Sequence, residues 1–350
     1  MLGAPLRWLR LLAIVAVCLA IVMVGDPRRA RAADSVATAL VTLTMSRTEV
    51  SAADWSTGES KTCVRDDRNI ATLGGVILPW IATNASRVHL VGSVETGFTT
   101  DTAEWCSHYG WARSASWSQM LGFQTMYGMR FIDHSATYPL SWTNLTPQQR
   151  WDETCGSRDA ISAHGLLGAD GQFDWPNNTL DAAVETDYVM PCFHFGRRYG
   201  SGVTTLDWAA THNHEASTRG INGGSCTAAG QSCSTADGSL RYTPPAKIIA
   251  SITALVPGQV LNLQAYLLVT GKNPTYSTTA TKINTTRWNC NSTNPNYHWS
   301  NDVERYCWND FKAILSFLQN DPNVTITDFD GVATAWDMPP LPSEPVRPSP

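Results

Sequence analysis

The chain has 350 residues, of which 16% are charged, and its formal net charge is −5. This acidic balance argues against nucleic acid or an anionic membrane surface as a partner. The low charge, together with 14 tryptophans, is typical of a secreted globular protein with polar, uncharged surfaces.

Residues 1–32 predict a cleaved secretory signal. Arg7 and Arg10 precede an apolar run over residues 11–24, and Ala30-Arg31-Ala32 has the small-x-small pattern of a cleavage site. A membrane anchor is the alternative, but the run of 14 residues is shorter than the roughly 20 that span a bilayer. Cleavage would remove five arginines and one aspartate, leaving 20 basic and 29 acidic residues and a net charge of −9.

The elements predicted after the signal alternate between strands and helices. Ala39–Met45, which alternates apolar residues with threonine, predicts the first strand. Helices are predicted over residues 69–83, 117–127, 147–163 and 310–319, and strands over residues 88–94, 129–132, 188–195, 261–269 and 324–327. This order favours an α/β fold whose parallel sheet is closed or nearly closed by helices, in a single domain over residues 33–338.

Two segments have the composition of irregular structure. Residues 200–245 are rich in Gly, Ser, Thr and Ala and predict an elaborated loop. Residues 339–350 contain six prolines and predict a disordered or extended tail.

The cysteines predict a set of disulfides. Of nine cysteines, Cys18 lies in the signal, and the even number that remains has no Cys-x-x-Cys spacing typical of zinc sites. Spacing favours one bridge between Cys226 and Cys233 and another between Cys290 and Cys307. Counting alone leaves the other pairs open.

The segment around His134 is the most informative for function. Residues 129–132 predict a short buried strand, so His134 lies at its carboxyl end, where barrels of this class place their chemistry. The surrounding motifs resemble the NodB-type polysaccharide deacetylase family; they are Ser116-Trp117-Ser118-Gln119, Asp133-His134-Ser135, Tyr138-Pro139 and Phe173-Asp174-Trp175-Pro176. The resemblance is clearest over residues 117–200 and 258–336.

This resemblance implies a fold, a chemistry and a partner. The fold would be an irregular (β/α) barrel of about seven parallel strands. The chemistry would be metal-assisted hydrolysis of N- or O-acetyl groups on a glycan or cell-wall polysaccharide, with zinc, cobalt or nickel as the cofactor. It also implies disulfides between Cys155 and Cys192 and between Cys63 and Cys106.

The family's metal ligands are largely missing from this sequence. His134 matches the first histidine of the family's metal-binding pair, but Tyr138 stands where the second is expected. The family's Thr-Phe-Asp-Asp-Gly motif is absent after the first strand, where Arg47 lies instead; Asp66-Asp67 is the alternative source of carboxylates. With His134 as the one surviving ligand, we expect either no cofactor or a weakly bound divalent metal.

Other residues complete the predicted site. Asp133, His134 and Glu95 are the catalytic candidates, and a metal-free pair of Glu95 and Asp133 would support glycoside hydrolysis as an alternative. The substrate-binding candidates are Trp142, Trp175, Pro176, Asn177, Tyr138 and His298. Tryptophan faces stack on sugar rings, but they also fill protein cores.

Two further groups have alternative interpretations. Arg197-Arg198 would suit an acidic sugar, although such a pair is often a solvated strand end. His212 and His214 resemble a metal pair, but two histidines at this spacing point the same way only in a strand. The sequence thus predicts a deacetylase-like protein that acts on carbohydrate or binds it as a non-catalytic protein.

Overall fold

The computed structural model describes residues 39–45, 73–100, 105–106, 113–221, 243–265, 267–273, 288–291, 299–300, 305–343 and 345–349. Within these ranges strands and helices alternate, and the predicted α/β class is confirmed.

The strands are short. In chain order they are β1 (Ala39–Met45), β2 (Val91–Val94), β3 (Trp105–Cys106), β4 (Arg113–Ser114), β5 (Arg130–Asp133), β6 (Gln172–Asp174), β7 (Phe195–Tyr199), β8 (Val203–Thr205), β9 (Glu215–Gly220), β10 (Gln259–Ala265), β11 (Leu267–Val269), β12 (Lys272–Asn273), β13 (Trp288–Asn289), β14 (Trp299–Ser300), β15 (Arg305–Cys307) and β16 (Val324–Ile326).

The helices connect most of the long strands. They are α1 (Leu78–Asn84), α2 (Trp117–Tyr127), α3 (Pro147–Glu153), α4 (Cys155–Ala163), α5 (Ala182–Val184), α6 (Met190–Cys192), α7 (Leu206–Thr211), α8 (Pro245–Thr253), α9 (Trp308–Asn320) and α10 (Phe329–Ala335). A π-helical turn over Leu73–Ile77 precedes α1, and another over Glu185–Val189 joins α5 to α6. Single 3-10 turns span Thr96–Phe98 and Pro176–Asn178.

The main sheet has nine strands in the order β16-β1-β2-β5-β6-β7-β9-β10-β8. All of these pairs are parallel except the antiparallel pair of β8 and β10. In addition, β1 pairs in parallel with β10, with Leu40 opposite Val260 and Met45 opposite Ala265. Each of β1, β2, β5, β6, β7, β9 and β10 therefore has a parallel neighbour on both sides.

Helices pack against this sheet, because parallel neighbours require crossover connections and these are mostly helical. Apolar side chains such as Phe131 and Leu263 pack against Ile77, Ile161 and Leu315 in the largest core cluster. A second cluster lies at the amino-terminal ends of β7 and β10, where Phe195 and Val260 meet residues of α10.

Local signals set the bounds of α2. The helix predicted over residues 117–127 has the same ends as the observed one. Ser116 and Gln119 form a capping box: Ser116 Oγ accepts from Gln119 N at 3.2 Å, and Gln119 Oε1 accepts from Ser116 N at 2.9 Å. Gly128 ends the helix with φ at 68°, the left-handed conformation that glycine adopts readily. These caps fix where β5 begins.

Two predicted disulfides are confirmed. Cys155 in α4 is bonded to Cys192 in α6, and Cys290 is bonded to Cys307. The pair of Cys226 and Cys233 lies outside the described residues, as does Cys63.

Some predicted elements are wrong. The strand predicted over residues 188–195 is mainly helical up to Cys192, because Val184, Tyr188 and Cys192 recur at helical spacing against an aromatic cluster. The loop predicted over residues 200–245 contains β8, α7 and β9. The helix predicted over residues 147–163 is broken at Thr154, which has φ at −121° and ψ at −94°.

The proline-rich tail has no helix or strand over its described residues. Pro345 O accepts from Trp151 Nε1 at 3.2 Å, and Arg347 pairs with Asp152 at 2.9 Å. The tail is therefore extended along α3. Every helix in the described ranges is too short or too polar to cross a membrane.

Candidate functional site

Polar side chains gather where neighbouring parallel strands end. Ser93, His134, Asp174 and Arg197 lie in or directly after β2, β5, β6 and β7. Asp174 is opposite Arg197 in the register of β6 and β7, so the two side chains project from the same face. The ring of His134 joins them, with Nδ1 2.7 Å from the backbone oxygen of Asp174. These four residues are named the strand-end cluster.

Asp174 is the centre of the strand-end cluster. It is 0% exposed, Oδ2 accepts from Ser93 Oγ at 2.8 Å, and Oδ1 forms an ion pair with Arg197 Nε. A buried carboxylate is costly to desolvate unless a partner compensates its charge. Arg197 provides that compensation within the chain.

Arg197 extends from Asp174 towards two tyrosines. Its guanidinium carbon lies 5.1 Å from the ring centre of Tyr199, whose side chain also hydrogen bonds to it. Burial lowers the pKa of Arg197, while Tyr199 and Tyr138 oppose this effect. Because a guanidinium stays protonated in proteins, the strand-end cluster carries a permanent buried cation.

His134 and Tyr138 lie side by side, as their places in the predicted motif require. Their rings meet edge to face with centres 5.0 Å apart. A carbonyl oxygen only accepts hydrogen bonds, so the contact with Asp174 O assigns the proton of a neutral His134 ring to Nδ1. Tyr138 Oη accepts from Asn177 N at 3.0 Å, which connects the two loops beside the cluster.

The loop that carries Tyr138 is held in a strained form. Ser135 and Tyr138 have φ at 69° and 59°, in the left-handed region that residues other than glycine rarely adopt. Ser135 Oγ accepts from Tyr138 N at 3.0 Å, and Glu153 accepts from Thr137 N at 2.7 Å. These bonds compensate the strain and fix the position of the phenol ring.

Asp133, predicted to act with His134, faces the other side of the sheet. Adjacent residues of a strand alternate between faces, and Asp133 Oδ1 accepts from Ser157 Oγ in α4 at 2.6 Å and from Ser135 N at 2.9 Å. Burial raises the pKa of Asp133 well above its usual value. Its contacts are those of a residue that joins the loop to α4, so the geometry does not favour a carboxylate pair with Glu95.

The two predicted stacking tryptophans pack against each other. Trp142 and Trp175 are 2% and 1% exposed, with ring centres 5.5 Å apart, and both contact Phe173. Neither ring presents a face to solvent, so the geometry favours core packing over stacking on sugar.

A second buried acidic group lies behind Trp175. Glu215 in β9 is opposite Gly196, on the face away from Arg197, and its Oε1 accepts from Trp175 Nε1 at 2.9 Å. A Cβ at Gly196 would collide with the Glu215 carboxyl group and lie 3.0 Å from Trp175 Nε1. Glu185 hydrogen bonds to Glu215, and burial raises the pKa of Glu215 to about 8. Glu215 is therefore mainly protonated at neutral pH.

The remaining predicted residues are dispersed. Pro176 is buried, whereas Asn177 is exposed in the 3-10 turn after β6 and has φ at 49°. Glu95 is 7% exposed and directly follows β2. His298 lies outside the described residues.

Sequence reasoning missed three members of the strand-end cluster as a group. Ser93 and Asp174 lie in predicted segments without an assigned role, and Arg197 is predicted only together with Arg198, to suit an acidic sugar or to form a solvated strand end. The available signal was the position of each residue at the end of a predicted strand. Pairing them required the sheet register.

No group of three or more His, Cys, Asp or Glu side chains suited to a metal ion occurs in the described part of the chain. His212 is exposed beside Trp208 in α7, and His214 is half-buried. Arg47, Asp66 and Asp67 lie outside the described residues.

Comparison with models of known protein families and with characterised proteins finds no significant match. The deacetylase resemblance therefore stays a hypothesis that depends on the motifs and on the site geometry.

Proposed function

We propose that this chain is a secreted polysaccharide deacetylase-like protein that binds carbohydrate at the carboxyl ends of its strands and has lost or altered the family's metal site. The proposed architecture is an irregular seven-stranded (β/α) barrel. The parallel pair of β1 and β10 supports it, because these two strands are the first and the last of the parallel series β1-β2-β5-β6-β7-β9-β10. The signal segment and the two disulfides support secretion.

The observation that carries the altered metal chemistry is the ion pair between Asp174 and Arg197 beside His134. His134 is the one family ligand that survives in the motif. A divalent cation bound there would lie close to a buried guanidinium, and like charges repel strongly where water is excluded. Tyr138, at the second ligand position, uses its oxygen to accept from Asn177 N.

The polar rim beside the cluster supports carbohydrate as the ligand. Asn177 and Asn178 are exposed, and amide side chains both donate to and accept from sugar hydroxyls. Tyr199 is 39% exposed, so part of its ring is accessible for contact with a sugar ring. Fold alone does not assign this function; the composition of the rim supports it.

Two measurements on the oxidised chain test this proposal. We expect elemental analysis after dialysis to find less than one equivalent of zinc, cobalt or nickel, and acetylated chito-oligosaccharide or xylan to release no acetate. We also expect calorimetry to detect saturable binding of an oligosaccharide. Asn177→Ala should weaken this binding, while Asn323→Ala, an exposed asparagine before β16, should not.

Stoichiometric metal with release of acetate would replace this proposal with an active deacetylase. An absence of binding across acidic and neutral glycans would remove carbohydrate as the ligand class.

A further inference from the structure

The proline-rich tail is attached to the folded chain at two places. Where it begins, Met338 donates its N–H to a carbonyl of α10 at 2.9 Å and packs against the second core cluster. Further along, Pro345 O accepts from Trp151 Nε1 at 3.2 Å. Arg347 then pairs with Asp152 at 2.9 Å, and its guanidinium carbon lies 5.2 Å from the ring centre of Trp151. The tail thus connects α10 to α3.

The composition of the tail favours this docking. Six of residues 339–350 are proline. Proline restricts the backbone to extended conformations, so an undocked tail loses less conformational freedom when it docks. Extended proline-rich segments are also the kind of chain that aromatic surfaces recognise.

Trp151 joins the tail to the body of the protein. Its ring packs at Gly156 in α4, where a Cβ would lie 2.6 Å from the ring, and against the cluster that contains Phe173. Arg347 lies over the same ring. Because α3 spans only Pro147–Glu153 and a break separates it from α4, the two do not form one rigid helix. The tail therefore adds contacts that hold α3 in place.

The end of α3 in turn holds a loop beside the strand-end cluster. Glu153, the last residue of α3, accepts from Thr137 N at 2.7 Å and also from Thr137 Oγ1. Thr137 belongs to residues 135–138, named the rim loop, whose phenol ring meets the ring of His134. A continuous series of contacts therefore links the tail to the strand-end cluster.

We propose that the tail is a strap that positions the rim loop, and that its release lets the loop leave its strained form. Arg347 and Trp151 are the positioning residues. The side chains of Arg347 and Asp152 are 60% and 41% exposed, so salt weakens their attraction. The strap is thus a contact that ionic strength loosens, whichever ligand binds beside the loop.

Hydrogen exchange, measured by mass spectrometry on the oxidised full chain, tests this proposal. Arg347→Gln removes the ion pair and the cation over Trp151, and we expect a peptide covering residues 135–141 to exchange at least about threefold faster. Val346→Ser is the matched control in the same tail, because Val346 is 90% exposed, and it should leave the exchange unchanged. A peptide from α9 should exchange equally in all three proteins.

Salt provides a second test on the unmodified chain. At about 1 M sodium chloride the Debye length falls to about 3 Å, so the ion pair is screened. The rim-loop peptide of the unmodified chain should then approach the exchange rate of Arg347→Gln. The variant itself should change little, because it has no ion pair to screen.

Three results would overturn the strap. The first is an unchanged rim-loop peptide in Arg347→Gln. The second is an equal increase in the α9 peptide, which would show a general loss of stability. The third is a salt effect of the same size in both proteins, which would show that salt acts on the loop without the contact between Arg347 and Asp152.

Discussion

Two buried carboxyl groups, at the last residue of β6 and the first residue of β9 on either side of β7, have opposite environments. Asp174 faces Arg197 and accepts from Ser93, so its negative charge is matched by a cation. Glu215, on the other face, hydrogen bonds to Trp175 and to the acidic Glu185, and its pKa is raised to about 8. The same sheet thus stabilises one carboxyl group as an anion with a partner and the other as a neutral acid.

This difference teaches that face and register decide the chemistry of a residue more than its type does. Adjacent residues of a strand face opposite sides of the sheet. Moving a side chain by one position therefore takes it from the face of the strand-end cluster, which holds the Arg197 cation, to the opposite face, which is packed against helices.

The largest expected effect concerns Glu215 and pH. Its pKa is about 8 in the folded chain and near 4.3 when unfolded, so the folded state retains a proton that the unfolded state loses. This stabilisation is full below about pH 4 and is lost as pH rises to about 8, a change on the order of 5 kcal/mol. Urea unfolding measured across this range should show the decrease.

Glu215→Gln should reduce the change of the unfolding free energy with pH, because an amide still accepts from Trp175 and does not ionise. Asp207→Asn, at an exposed position in α7, should leave the slope unchanged and serves as the control. A slope that is the same in all three proteins would show that Glu215 is ionised in the folded chain at neutral pH.

The next effect concerns Asp174. Asp174→Ala would leave Arg197 buried without its partner, and we expect it to lower the free energy of unfolding by about 3–5 kcal/mol. Denaturant unfolding at pH 7 measures the loss, and Asp159→Ala, at a more exposed carboxylate of α4, should cost about 0–1 kcal/mol. A loss below about 1 kcal/mol for Asp174→Ala would contradict the ion pair.

The disulfide between Cys155 and Cys192 is the third test, because it ties α4 to α6, next to the turn that carries Glu185. The Cys155→Ser, Cys192→Ser double variant should lose about 2–4 kcal/mol of stability. If the bridge also keeps Glu185 against Glu215, the variant should have a weaker pH dependence. An unchanged pH dependence would show that packing alone keeps the two carboxyl groups together.

The smallest effect concerns Trp175. Trp175→Phe removes the N–H donor to Glu215 Oε1 while keeping an aromatic ring, and should cost about 1–2 kcal/mol. Because this hydrogen bond lowers the pKa of Glu215, its loss should move the titration of Glu215 to higher pH. A carboxyl-labelled NMR titration would detect the shift, and movement to lower pH would contradict the assigned contact.

The fold was predictable where local signals are strong. The capping box at Ser116 and the glycine at 128 determine α2 without help from the rest of the chain. β9 was missed because its sequence, Glu-Ala-Ser-Thr-Arg-Gly, has too few apolar residues to show the usual pattern. Its neighbours β7 and β10 supply the hydrogen bonds that make it a strand.

The candidate site was predictable only in part, for the same reason. The motif around His134 places that residue and Tyr138 together, and the structure has their rings in contact. Trp142 and Trp175 had suitable chemistry for sugar stacking, but their burial is a property of the packed chain. Whether an aromatic ring faces solvent or core depends on residues distant in sequence.

The sequence by itself predicted the α/β class, the position of His134 directly after β5 and the disulfide between Cys290 and Cys307, because short-range patterns and spacing encode them; the pairing of Cys155 with Cys192 was implied by the family resemblance. Only the tertiary structure decided that Asp174 meets Arg197 and that Glu185 meets Glu215. These pairs come from different strands and helices, and they form through sheet register and the alternation of side chains between faces. A shift of register by one residue would separate each pair while leaving every local pattern in the sequence unchanged.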